Sequence, residues 1–314
     1  MGIKILTPGI HTTVQDLGRF GSRGFGFSPA GAMDADACRL ANILAGNEET
    51  EAVLEITQLG PAVEFGEDEV IAVTGAYTEL TVNGASAPMY KAFRVNKGDV
   101  LRFGYPKEGR YIYLAFAGGL DIPAQLGSYS THVPTAVGGF NGKPLEAGAL
   151  IRLKNPRKRL RRMGKREVIS GEGVGGEEKR KSGSVPLRIL FGPQEDCFTE
   201  KGIRTLTEGD YRLLEPEGRR EYRLEGAVIE HKPGVDVLPG AVNFGTIQIT
   251  PEGLPVVAMA DHEAVGGLAR IASVISADFS RLAQLETGGR VHFVSCSMET
   301  AQQLYRMRRE VVAF

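Results

Sequence analysis

The sequence predicts a mainly β protein with a few helices, built as two lobes on either side of a charged linker. Three observations carry that prediction. Glycine occurs 41 times in 314 residues, without low-complexity runs, which marks many tight turns and therefore many short strands. Segments of strand length, rich in β-branched and aromatic residues, recur between those turns in both halves. Between the halves, Asn155 to Ser184 opens NPRKRLRRMGKREV and continues through Ile169-Ser170 into GEGVGGEEKRKSGS, where almost nothing can be buried. The expected organisation is a first lobe over 1–154, a basic and glycine-rich linker over 155–184, and a second lobe over 185–314. A chain of this length suits two ordinary domains.

In chain order, Met33, Ala37, Leu40, Ala41 and Leu44 fall at helical spacing, with Asp34 near the start and Gly46-Asn47 as a stop. Glu69–Val73 and Thr78–Val82 read as two strands. The second runs into Asn83-Gly84, a hairpin-turn pair. Arg110–Phe116 and Leu187–Phe191 have the same strand character. Thr246–Thr250 and Leu254–Met259 flank Pro-Glu-Gly and read as a hairpin. Ser276 is expected to cap a helix with Phe279, Leu282 and Ala283 on its apolar stripe. Ser297 is expected to cap another, with Met298, Ala301, Leu304 and Tyr305 facing inward. Strands so closely spaced favour barrels or sandwiches over alternating βαβ units.

Composition narrows the function classes. Hydrophobic residues are 42% and charged residues 24%, near the globular average. Thirty-seven basic residues against 38 acidic ones leave a net charge of −1, so no overall field draws nucleic acid or an anionic membrane. The basic run of the linker invites a nucleic-acid reading, but it reads more simply as solvated charge that the following glutamates partly offset. Cys38, Cys197 and Cys296 lie far apart with no CxxC, a pattern that suits a reducing compartment. The first residues have no long apolar core, and no run approaches the ~18 apolar residues that span a bilayer. A cytoplasmic protein is expected.

Common motifs are absent. There is no Gly-x4-Gly-Lys-Ser/Thr phosphate loop, no GxGxxG after a strand and no GxSxG elbow. The five histidines show no paired metal-ligand spacing, so no metal site is expected. Lys91, in Met89-Tyr90-Lys91, lacks the setting of a biotin-carrier lysine. Four stretches do gather polar side chains among glycines, as strand-end sites do. They are Pro8–Arg19 with Ser28–Asp34, Ala117–Pro123 with Gly127–His132, Gly245–Ile249, and Met259–Gly267 with Arg270 and Asp278. Each stretch alone also reads as turn chemistry, its hydroxyls satisfying backbone donors.

Taken in order, these stretches carry a resemblance. Thr12–Arg19, Gly31–Asp34, Asn42–Asn47, Leu54–Pro61, Tyr113–Gly119, Leu126–Thr131, Phe191–Asp196, Arg223–Gly226, Gly245–Gln248, Ala260-Asp261, Gly266-Gly267 and Val274–Asp278 follow the order of the biotin-dependent carboxyltransferase-like family. That family is also called allophanate hydrolase subunit 2, and it includes the C subunit of 5-oxoprolinase and urea amidolyase-related proteins. The similarity covers nearly the whole chain outside the linker. Two places depart from it. Relatives often read Asp-Arg-Met-Gly where this chain has Gly218-Arg-Arg-Glu221, and Thr-x-Gly-Gly-Tyr-Pro where it has Ala264-Val-Gly-Gly-Leu-Ala269.

The resemblance implies two cyclophilin-like β-barrel lobes and a hetero-oligomer. The partners would be a small subunit, of the type of the B subunit of 5-oxoprolinase or allophanate hydrolase subunit 1, and a third subunit. It implies ATP-dependent opening of 5-oxoproline to glutamate, with ATP held by the complex and not evidently by this chain. The alternative is transfer of a carboxyl group to a urea-like acceptor, with biotin on another chain. No biotin carboxylase or carrier segment is present here, which favours the first. A third reading, from the family's association with antagonism of a kinase inhibitor, is partner binding without turnover.

Under the lactam reading, the carbonyl oxygen must be activated and the developing charge held. Arg223 or Arg270 would hold the substrate carboxylate or a phosphate in a fork. Asp261 or His262 would shuttle protons. Gln248, Ser130 and Thr131 would orient the amide, and Gln15 and Asp16 complete the expected substrate-binding set. Asp261→Asn is expected to abolish activity without unfolding the chain.

Overall fold

The computed structural model describes residues 2–154, 183–216, 218–234 and 237–312. Most of the expected linker, 155–182, lies outside the described residues, while Ser184 already opens a strand. The chain is mainly β with few helices, as the sequence predicts. It divides into two compact units, one of residues 2–20 and 30–154, the other of 21–29 and 183–312. Gly21–Pro29, placed in the first lobe by sequence order, thus belongs to the second unit. The cause is a set of hydrogen bonds from Arg23 and Ser28 to residues between 242 and 264.

The first unit holds β1 (Gly2–Thr7), β2 (His11–Gln15), α1 (Ala35–Ala45), β3 (Val53–Thr57), β4 (Ala62–Phe65), β5 (Glu69–Val82), β6 (Ala85–Ala87), β7 (Phe93–Val95), β8 (Val100–Phe116) and β9 (Leu150–Arg152). They form one nine-stranded sheet in the order β2-β3-β8-β4-β1-β9, with β5 paired to β6, β7 and β8. The sheet curls over a core that includes Ile5, Leu54, Ile56, Val73, Leu101 and Phe116. The two strands expected at 69–73 and 78–82 are one strand of 14 residues. Register shifts against β8 between Gly75 and Leu80 bend it without breaking it. Gly75 has φ +91°, and a Cβ there would lie 2.3 Å from the Tyr111 carbonyl, so the bend needs glycine. The Asp34 side chain caps α1 by accepting from the Ala37 N–H at 3.1 Å, and Gly46 ends the helix in the left-handed region.

The second unit holds β10 (Ser184–Phe191), α2 (Glu200–Glu208), β11 (Asp210–Leu213), β12 (Glu221–Glu225), β13 (Gly240–Ala241), β14 (Thr246–Ile249), β15 (Pro255–Ala258), β16 (Val265–Gly266), β17 (Ala269–Val274), α3 (Phe279–Ala283), β18 (Arg290–Ser295) and α4 (Met298–Val312). Seven strands close a barrel in the order β10-β17-β14-β15-β12-β11-β18, and β13 pairs with β16 as a separate ribbon. The closing pair, β10 with β18, is parallel, whereas the other neighbours are antiparallel. Alternation decides the faces: in β12, Tyr222 and Leu224 are buried while Arg223 and Glu225 are exposed.

Two helix expectations need correction, and one helix was not expected. Ser276 caps nothing: Ser276–Asp278 is a 3-10 turn without a side-chain cap, and the buried Asp278 carboxylate is taken by Arg188 at 2.5 and 2.8 Å. Ser297 does accept from the Thr300 N–H, at 3.2 Å. However, α4 rests on only a narrow strip with Ala301 and Leu304 against Ile275 and Ala277. Met298 and Tyr305 are exposed. Helix α2 escaped notice because it buries only Gly202 and Leu206. No helix among the described residues is long and apolar enough to cross a membrane.

Candidate functional site

Seven of the nine expected site residues fall into two clusters, one in each unit. In the first unit, β2 ends at Gln15 and delivers Asp16 to the loop Gly127–His132. Asp16 Oδ1 accepts from the Ser128 hydroxyl at 2.7 Å, the Ser130 hydroxyl at 2.5 Å and the Gly18 N–H at 2.8 Å. Its Oδ2 accepts from the Tyr129 N–H at 2.7 Å. The Ser130 oxygen in turn accepts from the Asp16 N–H at 3.0 Å. Thr131 donates to the Val14 carbonyl, and the Gln15 amide donates to Thr13 Oγ1 and the Thr131 carbonyl. Arg19 donates to the Ser130 carbonyl.

Gln15, Asp16, Ser130 and Thr131 therefore come together, with each at most 5% exposed. Their hydrogen bonds run largely among themselves. A carboxylate with four donors around it is a structural anchor that ties a 114-residue separation closed. Ser128, which sequence reasoning passed over within its own stretch, is as much a part of it.

The second unit presents a cavity of about 440 Å³ on the outer side of its barrel, lined by Arg220, Glu221, Arg223, Gln248, His262 and Gly266 among others. Strand register explains its floor. Arg223 pairs with Val256, Val256 with Gln248, and Gln248 with Arg270. Residues paired in register share a face, so these four form one row across β12, β15, β14 and β17. With strands about 4.8 Å apart, the Arg223 and Gln248 backbones stand about 10 Å apart. Residues far apart in sequence thus meet at one opening.

The wall is built from the β13–β16 ribbon and the loop before it. Gly266 sits where a Cβ would lie 2.5 Å from Gln248 Nε2 and 2.7 Å from Val242 Cγ2. Its bare backbone is the surface on which the Gln248 carboxamide rests. Around the rim, Arg223 Nε donates to Glu221 Oε1 at 2.9 Å, and Arg220 bridges Glu221 at 3.5 Å and Glu263 at 3.6 Å. With Glu252 also lining the cavity, three carboxylates face two guanidinium groups.

His262 is 4% exposed. Its Nδ1 lies 2.8 Å from the Glu263 carbonyl, which only accepts, so Nδ1 carries the proton and Nε2 the lone pair. Burial lowers the imidazole below its ordinary value, and the charge of Arg23 lowers it further, against the pull of the carbonyl and Asp261. At neutral pH the ring is uncharged.

Two expected residues stand elsewhere. Asp261 does not line the cavity; its carboxylate faces Arg219, with Nε–Oδ2 at 3.2 Å and Nη2–Oδ1 at 3.3 Å. Arg270, at the end of the row, bends away: its Nε donates to Gln194 Oε1 at 2.9 Å and its Nη1 to the Ala241 carbonyl at 2.8 Å. It braces the ribbon. Arg219 and Arg220 were missed, although they lie in the departure Gly218–Glu221, where two adjacent arginines were the available signal. Among the described residues, no three of His, Cys, Asp and Glu gather closely enough to hold a metal ion.

Known proteins share this sequence and architecture. A family model described as carboxyltransferase domain, subdomain A and B, matches residues 25–295. The chain is 33% identical over 309 residues to the C subunit of 5-oxoprolinase from Haemophilus influenzae, covering 97% of this chain and 94% of that protein. It is 30% identical over 317 residues to urea amidolyase of Saccharomyces cerevisiae, where the match spans 96% of this chain but 17% of that protein. Among solved structures, the urea amidolyase of K. lactis aligns with a TM-score of 0.88 at 28% identity, over 99% of this chain and 20% of that one.

Proposed function

The chain belongs to the carboxyltransferase domain family, subdomains A and B, and from that premise we propose that it is the substrate-holding subunit of an ATP-dependent 5-oxoprolinase complex. The observation that carries this reading is the convergence of Arg223, Gln248 and His262 on one cavity. The match to the C subunit of 5-oxoprolinase along almost the full length of both chains supports it. A cyclic amide bearing a carboxylate needs three things: a fork for the carboxylate, a carboxamide to align the lactam, and a proton acceptor. Arg223 supplies the fork, exchanging its contact with Glu221 for the substrate. The Gln248 carboxamide, fixed against Gly266, both donates and accepts, as a lactam requires. His262, uncharged and with its lone pair on Nε2, accepts a proton as water adds to the carbonyl carbon. The C–N bond then breaks as the imidazolium returns that proton to the nitrogen, which leaves as the amine of glutamate.

The cavity does not suit ATP. Its three carboxylates against two guanidinium groups would repel a triphosphate, so in this reading the complex holds the nucleotide outside this cavity. The partners in this reading are a small subunit, of the B kind, and a third subunit, assembled in the cytoplasm.

The test is 5-oxoproline-dependent ATP hydrolysis with glutamate detection, for this chain alone and assembled with its candidate partners. Glutamate formed only by the assembly supports the reading. A verified assembly that makes none, but carboxylates urea when given a biotinylated carrier, transfers the assignment to the urea amidolyase side of the family.

A further inference from the structure

The segment Gly21–Pro29 joins the second unit although the sequence before and after it builds the first. Its centre is a 3-10 turn, Arg23–Phe25, ended by Gly26 at φ 82°. From that turn Arg23 reaches three acceptors on two separate pieces of chain. Its Nη1 donates to Asn243 Oδ1 at 2.5 Å, and its Nη2 donates to the Val242 carbonyl and, at 3.2 Å, to the Ala264 carbonyl. Val242 itself donates its N–H to that same Ala264 carbonyl, at 3.2 Å. Both pieces are the wall of the cavity described above. The Gln248 carboxamide and the Val242 side chain both rest against Gly266, and His262 and Glu263 immediately precede Ala264.

We propose that Arg23 is a positioning residue for this cavity: its guanidinium fork locks the Val242–Asn243 turn to the His262–Gly267 loop and so fixes where Gln248 and His262 stand. Arginine suits the task because its donors lie in one plane and reach several carbonyls at once, which an ammonium does as a point charge only. A neighbouring effect supports it. Burial does most to keep the His262 ring unprotonated, and the charge of Arg23 adds to it against the opposite influence of Asp261, so the side chain that places the imidazole also favours its neutral form. The inference rests on the proposed function only for the identity of the substrate.

The experiment uses the assembled complex with Arg23→Gln and Arg23→Lys. Three quantities are read: hydrogen exchange over 240–243 and 262–268, the NMR titration of His262, and glutamate formation from 5-oxoproline. For Arg23→Gln, both segments should exchange faster while β11 and β12 keep their protection, and His262 should titrate at higher pH. Its kcat/KM should fall by about 10- to 100-fold, as misplacement of a site wall does. Arg23→Lys should restore the His262 titration, because the charge remains, without restoring the protection. Unchanged exchange and titration in Arg23→Gln would overturn the proposal, as would loss of protection throughout the barrel in both variants, which would make Arg23 a general folding contact. If the wild-type complex leaves 5-oxoproline intact, the functional reading fails, while exchange and titration still decide the role of Arg23.

Discussion

Arg219 and Asp261 form a two-point ion pair at 3.2 and 3.3 Å, with side chains 5% and 7% exposed. The pair stands behind the cavity and joins the approach to β12 to the loop that carries His262. Two backbone bonds run alongside it, from Met259 N–H to the Arg220 carbonyl and from Asp261 N–H to the Arg219 carbonyl. Removing one partner of a buried pair leaves an uncompensated charge, which costs about 3–5 kcal/mol. Asp261→Asn is therefore expected to lower the midpoint of urea unfolding for the second unit, against the sequence expectation that the fold would be indifferent. The double variant Asp261→Asn with Arg219→Met should recover most of the loss. Additive losses in the cycle would show that the pair does not couple.

Gly266→Ala tests the wall without touching a charge. The backbone there tolerates a side chain, but the new Cβ would displace the end of Gln248. Thermal stability should fall, because the Cβ would also meet Cγ2 of the buried, β-branched Val242 at 2.7 Å, which gives way only by repacking. The KM for 5-oxoproline in the complex should rise by about 10-fold, the worth of one hydrogen bond to substrate. An unchanged KM would separate Gln248 from substrate binding.

Asp16→Asn addresses the first cluster. An amide replaces one acceptor oxygen with a donor that opposes an incoming hydrogen-bond donor, either the Tyr129 N–H or those of Ser128, Ser130 and Gly18. A loss of about 2–3 kcal/mol in the first unit is expected, measured by urea unfolding. Stability retained alongside abolished turnover would instead make Asp16 a direct substrate contact.

Glu69 gives a pH signature of folding. It is 1% exposed at the start of β5; Oε1 accepts from the Val70 N–H, and Oε2 has no partner among the described residues. Burial, aided by Glu67, raises its carboxyl to about 7 from 4.5. Below pH 4.5 both folded and unfolded states hold the proton and the group is neutral to stability. As pH rises from 4.5 to 7 the unfolded state loses its proton first, so stability falls, and above pH 7 the penalty is constant. Allowing for solvent screening, the fall is about 2 kcal/mol. Melting temperature against pH should show this decline in the wild type and not in Glu69→Gln. Parallel curves would show that Glu69 is solvated.

Local features of the fold were legible because their causes are local. Asp34 and Gly46 bound α1 by capping chemistry, and Asn83-Gly84 turns β5 into β6 with both residues at positive φ. The continuity of β5 was not legible, because the bend at Gly75 is carried by its pairing with β8 across the sheet. In the site, Arg223 and Gln248 could be named from ordered motifs and His262 from the polar stretch Met259–Gly267, but the side-by-side placement of Arg223 and Gln248 depends on register among β12, β15 and β14. Asp261, from the Ala260-Asp261 motif, and Arg270, from the polar stretch that extends beyond Gly267, are drawn off by Arg219 and Gln194. Arg23 carried no sequence signal, since nothing local ties residues 21–29 to the second unit.

The most direct test of the central claim is the kinetics of Arg223→Gln in the assembled complex with 5-oxoproline as the varied substrate. Arg223 is half-exposed on the outer face of the barrel and pairs with Glu221 at the surface, so the variant should fold as the wild type does. Losing a charge-assisted fork costs about 1.5–3 kcal/mol, so KM should rise by about 10- to 100-fold while kcat changes little. A KM equal to that of the wild type would contradict the account, because the substrate carboxylate would then lie outside this cavity.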